Sequence, residues 1–253
     1  MSQIFKQSAK NSIYIYIGVL LGFVITGVLY PELLAPEQIG LINVLIGYSV
    51  IIGKIGGLGM QQVTIRLFPY FRDEENKHHG FLALVLLITA AGFVLIGSLY
   101  LVFKDVIVAM GKDNSGLFVQ YVDLILPLVL FSMLFNLLDN YYKVLYDAVT
   151  GTFYQEVVKR VFILVAILLY YFNVYDFQGF VYGYVLIAAV PFIALGLSLK
   201  LSNRIYLKTE FSYLTPKLRK EITDVAAFGL LAGTSGLFVM HIDKIMVLNL
   251  TNS

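Results

Sequence analysis

Apolar positions in this chain fall in long unbroken blocks separated by short polar stretches. They do not alternate, and they do not recur at the three-and-four spacing of a half-buried helix. Seven blocks stand out, at residues 13–34, 39–65, 81–103, 117–138, 153–172, 177–199 and 225–250. A hydrocarbon core about 30 Å thick takes about 20 helical residues at about 1.5 Å rise. Each block therefore reads as a membrane-crossing helix. The pattern predicts an all-α, polytopic transmembrane bundle of seven spans joined by short loops.

Composition agrees. Hydrophobic residues make up 59% of the 253 residues, and mean hydropathy is +0.82. A soluble domain needs a polar surface and cannot carry that load. Cysteine is absent, which excludes disulfides, thiol nucleophiles and thiolate metal sites. No cofactor is implied. No loop is long enough for a folded catalytic domain, so the expectation is a protein that is not an enzyme. A secretory leader is disfavoured, because the run after Lys6 and Lys10 is too long and no small-x-small site precedes Pro31.

Charge placement sets the expected orientation. On the N-terminal side lie Lys6 and Lys10, then Arg66, Arg72 and Lys77, then Lys143, Lys159 and Arg160, and finally the basic stretch between Lys200 and Lys220. That is fourteen of the 18 basic residues, against Lys104 and Lys112 opposite. The N-terminus is expected in the cytoplasm. The net charge of +2 is dispersed over loops and offers nothing to nucleic acid.

The organisation reads as a six-helix lobe (1–199), a basic cytoplasmic linker (200–221) and the first helix of a second, truncated lobe (222–253). An internal echo fits that boundary. Gly18-Val-Leu-Leu-Gly22 resembles Gly229-Leu-Leu-Ala-Gly233, and six spans return the chain to its starting side, as parallel repeats require. The plain reading of each glycine pair is close helix packing.

Ionisable groups at bilayer depth are the candidate functional residues. Lys54 lies past the middle of the second block, about 18 Å from Arg66 at helical rise, among Gly53, Gly56, Gly57 and Gly59. These glycines leave room for a cavity or a kink. The alternatives are a lumen cation and a snorkelling side chain. Arg160 is drawn toward the hydrocarbon edge with Lys159 and with Glu156, its i,i+4 partner; the alternative to a site there is snorkelling or local thinning of the bilayer. Asp243 and Lys244 lie in the seventh block and point about 100° apart, so at least one faces a cavity or a helix. Asp123 and Asp139 read as interfacial, and His78-His79 as a solvated loop. No metal set is evident.

The first turn, Leu29-Tyr30-Pro31 through Pro36-Glu37-Gln38-Ile39-Gly40-Leu41, is followed by Gly57-Leu58-Gly59 and Arg66-Leu67-Phe68-Pro69-Tyr70-Phe71. Asp243-Lys244-Ile245-Met246-Val247 comes in the seventh block. In this order and spacing, the chain resembles the N-terminal half of a polysaccharide or O-antigen flippase. These belong to the multidrug/oligosaccharidyl-lipid/polysaccharide exporter superfamily.

The resemblance implies twelve to fourteen helices in two lobes around a central cavity. Its implied substrate is an undecaprenyl-diphosphate-linked saccharide, flipped across the bacterial cytoplasmic membrane by alternating access. It also implies bilayer lipids and other polysaccharide assembly proteins as partners, a complete protein working as a monomer, and a chain of 253 residues that is a fragment. Lys54, Arg66, Arg160, Asp243 and Lys244 become the implied substrate-binding residues. Span one lacks a basic residue, unlike the lipid II flippases of the superfamily.

Three other readings compete. A cation-coupled drug exporter of the same superfamily needs deep acidic residues in the first lobe. A seven-helix receptor places its N-terminus outside. A membrane glycosyltransferase needs paired catalytic carboxylates, and the outer pairs Glu32/Glu37 and Asp105/Asp113 read as solvated.

Overall fold

The computed structural model describes the backbone of residues 3–112, 116–208 and 210–251, with side chains there except at 3, 4, 107, 109–112 and 234–251. Among the described residues the chain is helical and contains no strand. Among the described residues five helical stretches are long and apolar enough to cross a membrane: Phe5–Leu33, Pro36–Gly56, Lys77–Val106, Gly116–Val144 and Phe177–Leu201. They fall on the first, second, third, fourth and sixth blocks. The fifth block is helical too but carries Glu156, Lys159 and Arg160. The seventh lies on the last helix.

Helix α1 (Gln3–Gly22) passes through a π-helical turn (Phe23–Leu29) into the short α2 (Tyr30–Leu33). Pro36 opens α3 (Pro36–Gly56), where its fixed φ suits the first helical position and no N–H is missed. The Gln38 side chain accepts from the Ala35 N–H at 2.9 Å. After α4 (Met60–Phe71) and a 3-10 turn at Lys77–Gly80 come α5 (Phe81–Lys112), α6 (Gly116–Tyr121) and α7 (Ile125–Val144). A short α8 (Thr150–Thr152) leads through a second π-helical turn (Phe153–Val158) into α9 (Lys159–Tyr171). Asp176 caps α10 (Phe177–Leu201), accepting from the Gly179 N–H at 2.8 Å. A 3-10 turn at Phe211–Tyr213 precedes α11 (Pro216–Thr251).

Helix α7 is the hub, packed against α3, α4, α5 and α10. Its Ile125, Val129 and Tyr141 are almost fully buried. Around its C-terminal half Phe68, Phe71, Phe81, Leu195 and Leu199 close one apolar cluster. Around its N-terminal half Leu41, Leu45, Tyr121 and Val181 close another. A third joins Ile25 and Tyr30 to Ile167 and Phe180. Outward faces are apolar as well: Leu101, Val102, Leu186 and Phe228 are each at least 66% exposed. An apolar exterior of this extent requires a lipid or protein neighbour.

The second block departs from the expected single span of 39–65. Helix α3 stops at Gly56, and α4 restarts at Met60. Between them Leu58 and Gly59 take positive φ, 47° and 70°. Glycine adopts the left-handed region without a Cβ penalty. The break is also pinned by close approach: a Cβ on Gly59 would overlap the Ala226 carbonyl of α11, and one on Gly92 of α5 would overlap the Gly56 carbonyl. Arg66 therefore sits on a separate helix. Lys54 occupies the last turn of α3 instead of a point along an unbroken span.

Candidate functional site

Gly53 and Gly56 turn toward Ser132 and Met133 of α7 and are buried there. Lys54, between them in sequence, is exposed and lines two cavities. The first, about 200 Å³, is bounded by Lys54, Gln61, Gln62, Thr89, Asn136 and Asn140, with Gly229 of α11 on its far wall. The second, about 290 Å³, is bounded by Ser49, Lys54, Ser132, Asn136, Gln155, Lys159 and Tyr184. Lys54 and Asn136 belong to both. The second cavity thus lies among α3, α7, α9 and α10, and the first among α3, α4, α5, α7 and α11.

Three of the hydroxyls in these walls are satisfied locally. Ser49 donates to the Ile46 carbonyl at 2.8 Å, Thr64 to Met60 at 2.8 Å and Ser132 to Val129 at 2.9 Å. Asn140 donates to the Asn136 carbonyl at 2.6 Å. Among the described residues, no hydrogen bond or salt bridge reaches the Lys54 or Lys159 ammonium or the side-chain amides of Gln61, Asn136 and Gln155. Among the described residues no Asp or Glu lines either cavity. Those residues offer two cations and several neutral donors to a ligand, and no anion.

The other expected site residues are elsewhere. Arg66 is exposed on α4 and lines neither cavity. Arg160 turns away to α1, where it donates to the Gly18 carbonyl at 2.7 Å and pairs with Glu156 at 2.6 Å. Glu156 and Arg160 lie over Gly18 and Gly22, where added Cβ atoms would collide with them. Asp243 and Lys244 fall on α11, but their side chains lie outside the described residues. The structure thus brings Lys159, not Arg160, to Lys54. Lys159 was passed over beside its more conspicuous neighbour. The signal was available, because adjacent helical residues point about 100° apart and cannot both face α1.

Asp139 and Asp123 are both paired, Asp139 with Lys143 at 2.5 Å and Asp123 with Lys104 at 2.6 Å. The paired histidines also differ from expectation. His78 is buried against Phe68, and His79 stacks on Tyr213 with centroids 3.7 Å apart and planes 6° apart. His79 Nδ1 lies 2.9 Å from Glu210, and Nε2 lies 3.7 Å from Asp73. Tyr213 donates to the Tyr70 carbonyl at 2.7 Å. Glu210 and Tyr213 are therefore docked on His79 and the end of α4. Within that loop Asp73 accepts from the Asn76 N–H at 2.9 Å and from its amide at 2.7 Å. These bonds hold its carboxyl below the ordinary value.

No group of three His, Asp or Glu that could hold a metal occurs among the described residues. No family model, curated protein or solved structure matches this chain.

Proposed function

We propose that this chain is the first lobe of a membrane transporter that flips an undecaprenyl-diphosphate-linked oligosaccharide across the bacterial cytoplasmic membrane for surface polysaccharide assembly. The observation that carries the reading is Lys54: among the described residues no acceptor meets its ammonium, and it lines two cavities inside helices whose outer faces are apolar. An uncompensated charge at bilayer depth is expensive unless it faces water or a ligand of opposite sign. A diphosphate headgroup supplies that sign, and the amides of Gln61, Gln62 and Asn136 suit a glycan rich in hydroxyls. The basic N-terminal-side loops orient the N-terminus to the cytoplasm and favour capture of an anionic lipid there.

The drug-exporter alternative is disfavoured, because cation coupling needs a deep carboxylate and, among the described residues, neither cavity is lined by one. The test is export in the complete protein. Lys54→Ala abolishes surface glycan export at near-normal protein level, and Lys54→Arg retains part of it. Deleting the gene causes lipid-linked oligosaccharide to accumulate on the inner leaflet. Normal export by Lys54→Leu overturns the reading. So does unchanged surface glycan combined with new sensitivity to cationic drugs.

A further inference from the structure

We infer that Lys159, acting with Lys54, forms a two-cation site for a diphosphate group. The inference rests on the transport reading above and names a residue that the reading does not need. It starts from the register of the helix built on the second π-helical turn. Gln155 and Lys159, four apart, both line the cavity bounded by α3, α7 and α10. Glu156 and Arg160, also four apart, both face α1. One helix thus sorts its polar residues into a cavity pair and an α1-facing pair.

That sorting decides the charge balance. Glu156 is the acidic residue of this helix nearest in sequence to Lys159, but Arg160 holds it at 2.6 Å. Among the described residues no acceptor meets the Lys159 ammonium, and it shares its cavity with that of Lys54, which has none there either. Two like charges lining one cavity of about 290 Å³ repel each other. An anion that reaches both relieves the repulsion. A diphosphate spreads its charge over two adjacent phosphoryl groups and can meet two ammoniums at once. A monophosphate concentrates its charge on one. The Gln155 and Asn136 amides and the Tyr184 hydroxyl, in the same wall, supply neutral donors to the remaining oxygens.

The test is binding by the full chain in phosphatidylcholine nanodiscs, titrated with farnesyl diphosphate, farnesyl phosphate and inorganic pyrophosphate. The wild type binds farnesyl diphosphate more tightly than farnesyl phosphate. Lys54→Gln and Lys159→Gln each weaken farnesyl diphosphate by about tenfold or more, the scale of removing one partner of a desolvated charge pair. Each also erases the preference over the monophosphate. Lys159→Arg stays close to wild type, which separates lost charge from lost folding. Lys6→Gln, far from the cavity on exposed α1, is unchanged. If Lys54→Gln loses binding and Lys159→Gln does not, the two-cation site is wrong while the transport reading stands. If the wild type does not bind farnesyl diphosphate, both fall. Equal affinity for pyrophosphate upholds the two-cation site, assigns it to a soluble diphosphate, and overturns the lipid-linked substrate.

Discussion

Arg160 on α9 donates a 2.7 Å hydrogen bond to the backbone carbonyl of Gly18 on α1, across 142 residues of sequence. Gly18 and Gly22 make room for it. A Cβ at Gly18 would stand 2.8 Å from a Glu156 carboxylate oxygen and 3.0 Å from the Glu156 backbone carbonyl. At Gly22 the collision is with the tip of Arg160, which can swing aside. Position 18 is therefore the stricter of the two.

Gly18→Leu is expected to lower stability in detergent by about 1.5–3 kcal/mol, the range for losing a hydrogen bond to a charged group. Gly22→Ala is expected to lose less. Denaturant unfolding of the two variants checks the order, and a Gly18→Leu protein as stable as wild type refutes the cradle.

The contact between α4 and α11 makes a second expectation. A Cβ on Gly229 would lie 2.8 Å from the Gln62 Cβ, and a disulfide needs about 3.5–4.5 Å. A small shift accommodates the bond, so the double variant Gln62→Cys/Gly229→Cys should cross-link under mild oxidation. No native cysteine competes. Adding Gly59→Ala should reduce the yield, since the left-handed conformation costs a non-glycine residue about 1–2 kcal/mol and the new methyl strikes Ala226. No cross-link in the parent pair would mean that α11 does not rest on α4.

Orientation is checked with single cysteines in exposed turns. Glu75→Cys and Ser202→Cys should react with a membrane-impermeant maleimide only from the cytoplasm, and Val174→Cys only from outside. The expectation rests on the fourteen basic residues gathered on one side. Labelling of Val174→Cys from the cytoplasm reverses it.

The α4–α5 loop should respond to acid through Asp73. Its carboxyl is held below the ordinary value, first by the Asn76 backbone N–H and then by the Asn76 side chain. A depressed folded value means that Asp73 stabilises the loop above its ordinary pKa and ceases to do so as pH falls through the lowered one. Hydrogen exchange across residues 72–80 should therefore rise below about pH 4, where carboxylates begin to protonate. Asp73→Asn should flatten that rise. An unchanged pH profile in the variant assigns the response to other groups.

The hydropathy blocks at 81–103 and 177–199 reappear as parts of α5 and α10 because each is a self-contained run of apolar residues. The second block misled, because its hydropathy continues through Ile65 while the backbone turns at Leu58. The turn depends on Gly92 and Ala226, which lie far along the chain. Lys54 was legible from depth alone. Lys159 was legible only as far as its step of about 100° from Arg160; which wall it would reach was not, since a π-helical turn shifts the register that a 3.6-residue period assumes. The histidines were misread for a related reason: the residues that cover them, Tyr206, Glu210 and Tyr213, come about 130 positions later.

The long reach of the Arg160–Gly18 bond also orders the protein's assembly. At about 5–20 residues per second of synthesis, 142 residues separate the two partners by roughly 7–30 s. During that interval α1 is already made and its partner helix does not exist. Only 11% of the most apolar stretch of its span is buried even in the finished fold, so it is suited to standing alone in lipid. Glu156 emerges just ahead of Arg160 in the same helix, and the two can enter the bilayer already paired. The first helix is thus inserted early and seated late, and its glycine groove is a berth kept open for a charge pair not yet translated.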